Sequence, residues 1–153
     1  MFSLEITNLT KQRVPWKALS AAAIFAAKRL RLQGELSVVL SGDKRLRTLN
    51  RTFRGRDKAT DILTFAAPKE FSGALGEIFI NLQDCRRPRK YQEVLAEKKS
   101  FVYLLFFLLI HGLLHLAGGE DETESGRQQM ITQGKKLMAE LREHDIIKGK
   151  LLV

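Results

Sequence analysis

FVYLLFFLLIHGLLHLAGG, residues 101–119, joins an unbroken apolar run to two histidines and a pair of glycines. The run from Phe101 to Ile110 is about half the length that crosses a bilayer, so it reads as a buried helix continuing to Leu116. Gly118 and Gly119 can take up positive φ without steric penalty, which ends the helix and turns the chain back. Phe101, Tyr103, Phe106 and Phe107 are therefore expected in a core. Downstream, an amphipathic pattern predicts a last helix from about Glu124 to Ile146, with a surface histidine at His144 and a free tail after it. Upstream, the charged stretch from Pro88 to Lys99 is expected to be helical and to lead into the apolar helix.

Ile62–Phe65 and Glu77–Ile80 have the β-propensity of strands and are separated by a segment carrying Pro68, Gly73 and Gly76. Further toward the N-terminus, Glu35–Leu40 ends at Ser41-Gly42 and reads as another strand, and Leu4–Thr7 as the first. Asp43 is placed to cap a basic helix running to about Phe53, after which Gly55 releases the chain into a loop. Pro15 opens a helix that runs to about Leu32. Its apolar part, Ala18–Ala27, has basic residues on both sides and is not read as a signal peptide. Strands come early and helices late. The expected fold is α+β, with one mixed sheet of about four strands packed against helices and a central buried helix carrying the histidine pair, a zincin-like arrangement. Residues 1–153 are expected to form a single domain.

The chain has 153 residues, 44% of them hydrophobic, and a formal net charge of +9. That size and apolar content suit one core, and the charge favours a polyanionic partner, nucleic acid first. Cys85 is the single cysteine, so neither an internal disulfide nor a four-cysteine zinc site can form. The composition fits a reducing compartment such as the cytoplasm.

His111 and His115 are four residues apart, which on a helix puts both imidazoles on one face with Cβ atoms about 5–6 Å apart. Two nitrogens so placed can each reach one zinc ion at roughly 2.0–2.1 Å. Two polar rings on so apolar a helix each need a partner, and a shared metal satisfies both. In the metalloprotease motif a glutamate follows the first histidine and acts as general base. Here that position is Gly112, which lowers the protease alternative.

HGLLHLAG, residues 111–118, resembles the signature of the YbeY family of bacterial metal-dependent endoribonucleases, which act in ribosomal RNA maturation. LNRTFRGRDKATDILTF, residues 49–65, is similar to the family's other well-marked segment, and LGEIFI, residues 75–80, to the strand that follows it. The resemblance implies three histidine ligands, the third just beyond the glycine turn. This sequence departs there, with Asp121 at the third position. A carboxylate is an acceptable ligand, and a two-histidine, one-aspartate site is chemically reasonable, but an anionic donor partly neutralises the ion and weakens it as a Lewis acid. Glu120 and Glu122 are the alternatives to Asp121, and loss of the metal altogether is the third outcome.

The resemblance also implies that Arg54 lies near the metal, where a guanidinium holds a phosphate by two hydrogen bonds and stabilises charge growing in the transition state. Asp57, Thr60 and Asp61 are expected to tie the loop down. Lys44, Arg45, Arg47, Arg51, Arg54, Arg56 and Lys58 form a basic run, and Arg86, Arg87, Arg89 and Lys90 a second. Of these, Arg51, Arg54, Arg56 and Lys58 are the expected RNA contacts. The function so implied is a single-strand-specific, metal-dependent endoribonuclease holding Zn²⁺, or another transition metal such as Ni²⁺. Its implied work is 16S rRNA 3′ end processing and ribosome quality control, in contact with the small ribosomal subunit and an Era-type GTPase. The rivals are a ribosome-associated RNA-binding factor that cuts nothing and a metalloprotease.

Overall fold

The computed structural model describes residues 1–148. β1 (Phe2–Asn8) and β2 (Gly34–Ser41) run parallel and are joined through α1 (Trp16–Arg29). α2 (Asp43–Arg54) leads to β3 (Ile62–Ala66), which pairs antiparallel with β4 (Ala74–Asn81). Two 3₁₀ turns (Asp84–Arg86 and Pro88–Tyr91) and the one-turn α3 (Gln92–Leu95) precede α4 (Phe101–Leu116) and α5 (Glu124–Glu143). β4 also pairs parallel with β2, so the sheet is mixed, in the order β1-β2-β4-β3. This is the α+β architecture with a four-stranded mixed sheet that the sequence pattern predicts. None of the described helices is long and apolar enough to cross a membrane.

The period of two in the strands decides which side of the sheet is covered. Leu36, Val38 and Leu40 of β2 and Ile78 and Ile80 of β4 are buried, and Val38 pairs with Ile78 and Leu40 with Ile80. Their side chains therefore share one face. α4 lies on that face, buried from Tyr103 through Ile110, and is flanked by α1 and α5. Ser100 starts it, its hydroxyl accepting a hydrogen bond from the Tyr103 amide at 3.1 Å. Gly112 sets how closely helix and sheet approach: a Cβ there would lie 2.8 Å from Ile78 Cδ1 and 3.1 Å from Ile62 Cδ1. The opposite face is covered by α2 over β3 and β4, where Phe53, Phe65 and Phe79 meet edge to face.

The structure corrects three local expectations. The stretch from Pro88 to Lys99 is broken into a 3₁₀ turn and a single α-turn, because Ala96 takes φ 62° and stops α3. The chain after His144 is not free, since Ile146 packs against the core and Ile147 is 1% exposed; the expected tail otherwise falls on residues 149–153, outside the described residues. Asp43 does not cap α2. Gly42 takes that position, and Asp43 is the first helical residue.

The Asp43 carboxylate has another use. It accepts hydrogen bonds from Asn81 Nδ2 at 2.7 Å and from Arg87 Nη2 at 2.6 Å, and the Arg87 guanidinium holds it below its ordinary pKa. Asn81 is fully buried, donates also to the Thr60 carbonyl at 3.2 Å and accepts from the Gln83 amide at 3.0 Å. One buried amide thus ties α2, the loop before β3 and the chain after β4 together. Replacing it leaves buried groups without partners, so Asn81→Ala is expected to lower unfolding free energy by about 1–3 kcal/mol in urea titrations.

Candidate metal centre

In its last turn and a half α4 stays in the core on one side, through Leu113 and Leu114, and opens on the other at its two histidines. His111 and His115 keep 18% and 25% of their side-chain surface, and their rings meet edge-on with centroids 4.7 Å apart. Gly118, at φ 102°, turns the chain back. The following loop brings Asp121 Oδ2 to 3.6 Å from His111 Nε2 and 3.2 Å from His115 Nε2. One donor atom from each of the three residues lies within 4.8 Å of the others.

The donor chemistry fits a cation. His115 Nδ1 is 3.2 Å from the Gly119 carbonyl, and since a carbonyl only accepts, Nδ1 carries the proton. That leaves the Nε2 lone pair directed at a carboxylate oxygen, two electron-rich atoms that need a proton or metal ion between them. His111 is pushed toward its neutral, ligating form, chiefly by burial and then by the neighbouring His115, against the pull of Asp121.

Glu120 is the alternative ligand that the structure sets aside. Its carboxylate accepts hydrogen bonds from the Glu122 and Thr123 amides at 2.9 and 3.1 Å and from the Thr123 hydroxyl at 2.6 Å. These bonds hold its pKa down and fix the loop that presents Asp121. Thr123 in turn caps α5 by accepting from the Gly126 amide. Glu122 lines the cleft but does not belong to the three-residue donor group.

The histidines and Asp121 sit in a cleft of about 730 Å³ that is also lined by Arg54, Arg56, Lys58, Thr60 and Asp61. Arg54 reaches over the end of β3, donating from Nη2 to the Thr64 carbonyl at 3.0 Å with its guanidinium 5.2 Å from the Phe65 ring centre. Asn50, 4% exposed, fixes the basic loop by donating to the Lys58 carbonyl at 2.9 Å, and its own carbonyl accepts from the Arg56 amide. Asp61 accepts from the Tyr91 hydroxyl at 3.0 Å. Arg54, Arg56 and Lys58 make no ion pair among the described residues.

Several of the other cations are engaged elsewhere. Arg51 lies outside the cleft and, with Arg47, faces Asp57. In the second basic run, Arg87 is bound by Asp43 and Asp84, and Lys90 by Asp84. Gly112 points at the sheet rather than the cleft, so a glutamate there would be buried against Ile62 and Ile78; the protease base has no room at that position. Sequence reasoning missed Asn50 and Asn81 and offered Glu120 only as an alternative ligand, whereas all three act by holding backbone. The only signal for Glu120 was its place three residues before a capping threonine.

Fold and site together define an α+β protein with a two-histidine, one-carboxylate candidate metal centre beside three unpaired cations. The family model described as "Endoribonuclease YbeY" matches residues 5–142. The chain is 36% identical over 137 residues to "Endoribonuclease YbeY" of Rhodopseudomonas palustris (strain BisA53), covering 85% of this chain and 76% of that one. It is 32% identical over 132 residues to the protein of the same name from Brevibacillus brevis, covering 76% and 80%. The solution structure of TM1509 from Thermotoga maritima shares the fold, with a TM-score of 0.57 at 23% identity over 95% of both chains. The chain belongs to the YbeY family.

The Glu120 bonds predict a specific defect. Glu120→Ala, which removes no donor atom of the cluster, is expected to weaken zinc binding roughly tenfold, as loss of an orienting partner does. Competition against a chromophoric chelator measures it, and affinity equal to wild type would refute the role assigned to the loop.

Proposed function

We propose that this protein is a metal-dependent endoribonuclease that cuts single-stranded RNA, with His111, His115 and Asp121 as metal ligands and Arg54 as the phosphate-binding catalytic residue. The observation that carries the reading is the presence, in one cleft, of a cation-demanding donor cluster and of three cations with no carboxylate partner. A metal ion bound by the cluster supplies acidification of water and polarisation of a phosphoryl oxygen.

The protein's own groups do the rest. Arg54 has five N–H donors, of which the Thr64 carbonyl takes one, and the remainder are free to hold a phosphodiester. The Phe65 ring and the Thr64 carbonyl pre-set its direction, so little side-chain entropy is lost on binding. Water or the neighbouring 2′-hydroxyl attacks phosphorus and gives up a proton, one ribose oxygen leaves and takes one up, and the negative charge that shifts onto the phosphoryl oxygens lies against the guanidinium. Arg56 and Lys58 attract the strand through its backbone, which makes affinity salt-dependent and weakly dependent on sequence. Arg51 is assigned a part along the same track only if a bound strand displaces it from Asp57.

By family resemblance the substrate is ribosomal RNA, the step is maturation of the 16S 3′ end together with ribosome quality control, and the setting is the cytoplasm. The same resemblance supports contact with the small ribosomal subunit and an Era-type GTPase. Zinc is the assigned metal, with nickel as the alternative, and residues 1–153 are taken as one domain.

Elemental analysis tests the ligand set. Wild type is expected to hold about one zinc per chain, and His111→Ala and Asp121→Ala to lose it, together with cleavage of a single-stranded oligoribonucleotide. Wild type that binds the oligonucleotide but cuts it no faster than His111→Ala would instead make the protein an RNA-binding factor. Asp121→His exchanges an anionic donor for a neutral one, and the rising limb of its cleavage rate is expected at lower pH than in wild type.

A further inference from the structure

β3 separates two cavities. On one side is the basic cleft; on the other is an apolar groove of about 540 Å³ lined by Phe53, Phe65, Pro68, Glu77 and Phe79 among others. Phe53 and Arg54 are consecutive at the end of α2, yet Phe53 lines the groove and Arg54 the cleft. Phe65 touches both, with the Phe53 ring 5.4 Å and the Arg54 guanidinium 5.2 Å from its ring centre. Ala66 lines both cavities. The groove is thus continuous with the cleft around one strand end.

Its chemistry is unlike that of the cleft. Phe53 meets Phe65 edge to face but is still 63% exposed, so most of its ring is open to the groove. Glu77 is the single ionisable residue of the lining; its carboxylate makes no hydrogen bond among the described residues. A carboxylate repels a phosphate, so a polyanionic strand entering here keeps its backbone on the Arg54 side. What can enter is the base.

We propose that this groove is a nucleobase subsite, in which a base next to the phosphate held by Arg54 leaves the strand, stacks against Phe53 and offers an exocyclic amino group to Glu77. The inference rests on the endoribonuclease reading for its substrate class. Aromatic faces accept any base. The carboxylate adds a preference, because it accepts from the amino groups of cytosine, adenine or guanine and repels the carbonyl that uracil presents at the equivalent edge. The subsite gives the enzyme a reason to require single strands, since a paired base cannot turn into it.

The test uses the full chain and short single-stranded oligoribonucleotides carrying one 2-aminopurine. Wild type is expected to quench the probe's fluorescence, as stacking does, and Phe53→Ala to lose both the quenching and about tenfold or more in affinity. The exposed position of Phe53 keeps the fold out of the comparison. An oligonucleotide with an abasic site in place of the probe is expected to bind wild type and Phe53→Ala equally. Glu77→Gln is expected to level binding of cytosine against uracil at the probe position. Wild-type affinity and quenching in Phe53→Ala would overturn the subsite while leaving cleavage intact. Quenching without any cleavage would overturn the nuclease reading and leave the subsite standing. Absence of RNA binding by wild type would overturn both, and a change of oligomeric state in Phe53→Ala with unaltered RNA affinity would assign the groove to a second copy of the chain and overturn the subsite.

Discussion

Burial of α4 against β3 and β4 is the constraint on which the site depends. A helix buried along most of its length can carry imidazoles only where its cover ends, and here the cover ends in the last turn and a half. Gly112 lets the helix sit close enough to Ile62 and Ile78 for that turn to stay docked on the sheet while its other side opens to the cleft. The histidines therefore project from a rigid element, which locks their geometry better than a loop would. The third donor is the opposite case. Asp121 is half-exposed and lies on a turn, so its position has to be made by the bonds that Glu120 forms with the backbone after it.

Charge is sorted around this helix by pairing rather than by count. The chain carries 26 lysines and arginines against 17 aspartates and glutamates, so some cations must lack partners. Which ones lack them is decided by where the carboxylates sit. Asp57 draws Arg47 and Arg51 to the outer side of α2, while Asp43 and Asp84 hold Arg87 and Lys90 behind β4. What remains beside the candidate metal cluster is Arg54, Arg56 and Lys58. A phosphate entering the cleft meets donors that need not leave a protein carboxylate first, and this lowers the cost of forming the contact.

The fold was legible where a segment's pattern had one solution. α4 runs from Phe101 to Leu116 as read, because an apolar run started by Ser100 and stopped by Gly118 has no other place to go. The strands were found with ends up to three residues short, since Ala74 and Leu75 acquire strand geometry only through pairing with residues distant in sequence. Two of the three misread segments were polar. Asp43 looks like a cap, and its true partners, Asn81 and Arg87, lie some 40 positions away. The stretch after Pro88 has helical composition but ends at Ala96 in a conformation that no local pattern announced. In the site, the helical spacing of His111 and His115 put them together from sequence alone. Placing Asp121 and Arg54 beside them took the family resemblance, because a turn and a strand edge intervene.

Asp121 in place of a histidine changes more than the charge on the ligands. A third imidazole would bring its own N–H and require an acceptor to orient it, whereas a carboxylate offers two oxygens and can shift between them as the coordination number changes. A centre built on the proposed ligand set is less acidifying and more adaptable. A weaker Lewis acid leaves a larger share of the developing phosphoryl charge for the protein to stabilise. Among the described residues of the cleft, Arg54 is the cation with a fixed direction, held by the Thr64 carbonyl and the Phe65 ring, and on the proposed reading it takes that share. On the proposed assignment, catalysis leans on the arginine to the extent that the aspartate softens the metal, and the ring that steadies the arginine is the same ring that forms the wall of the neighbouring groove.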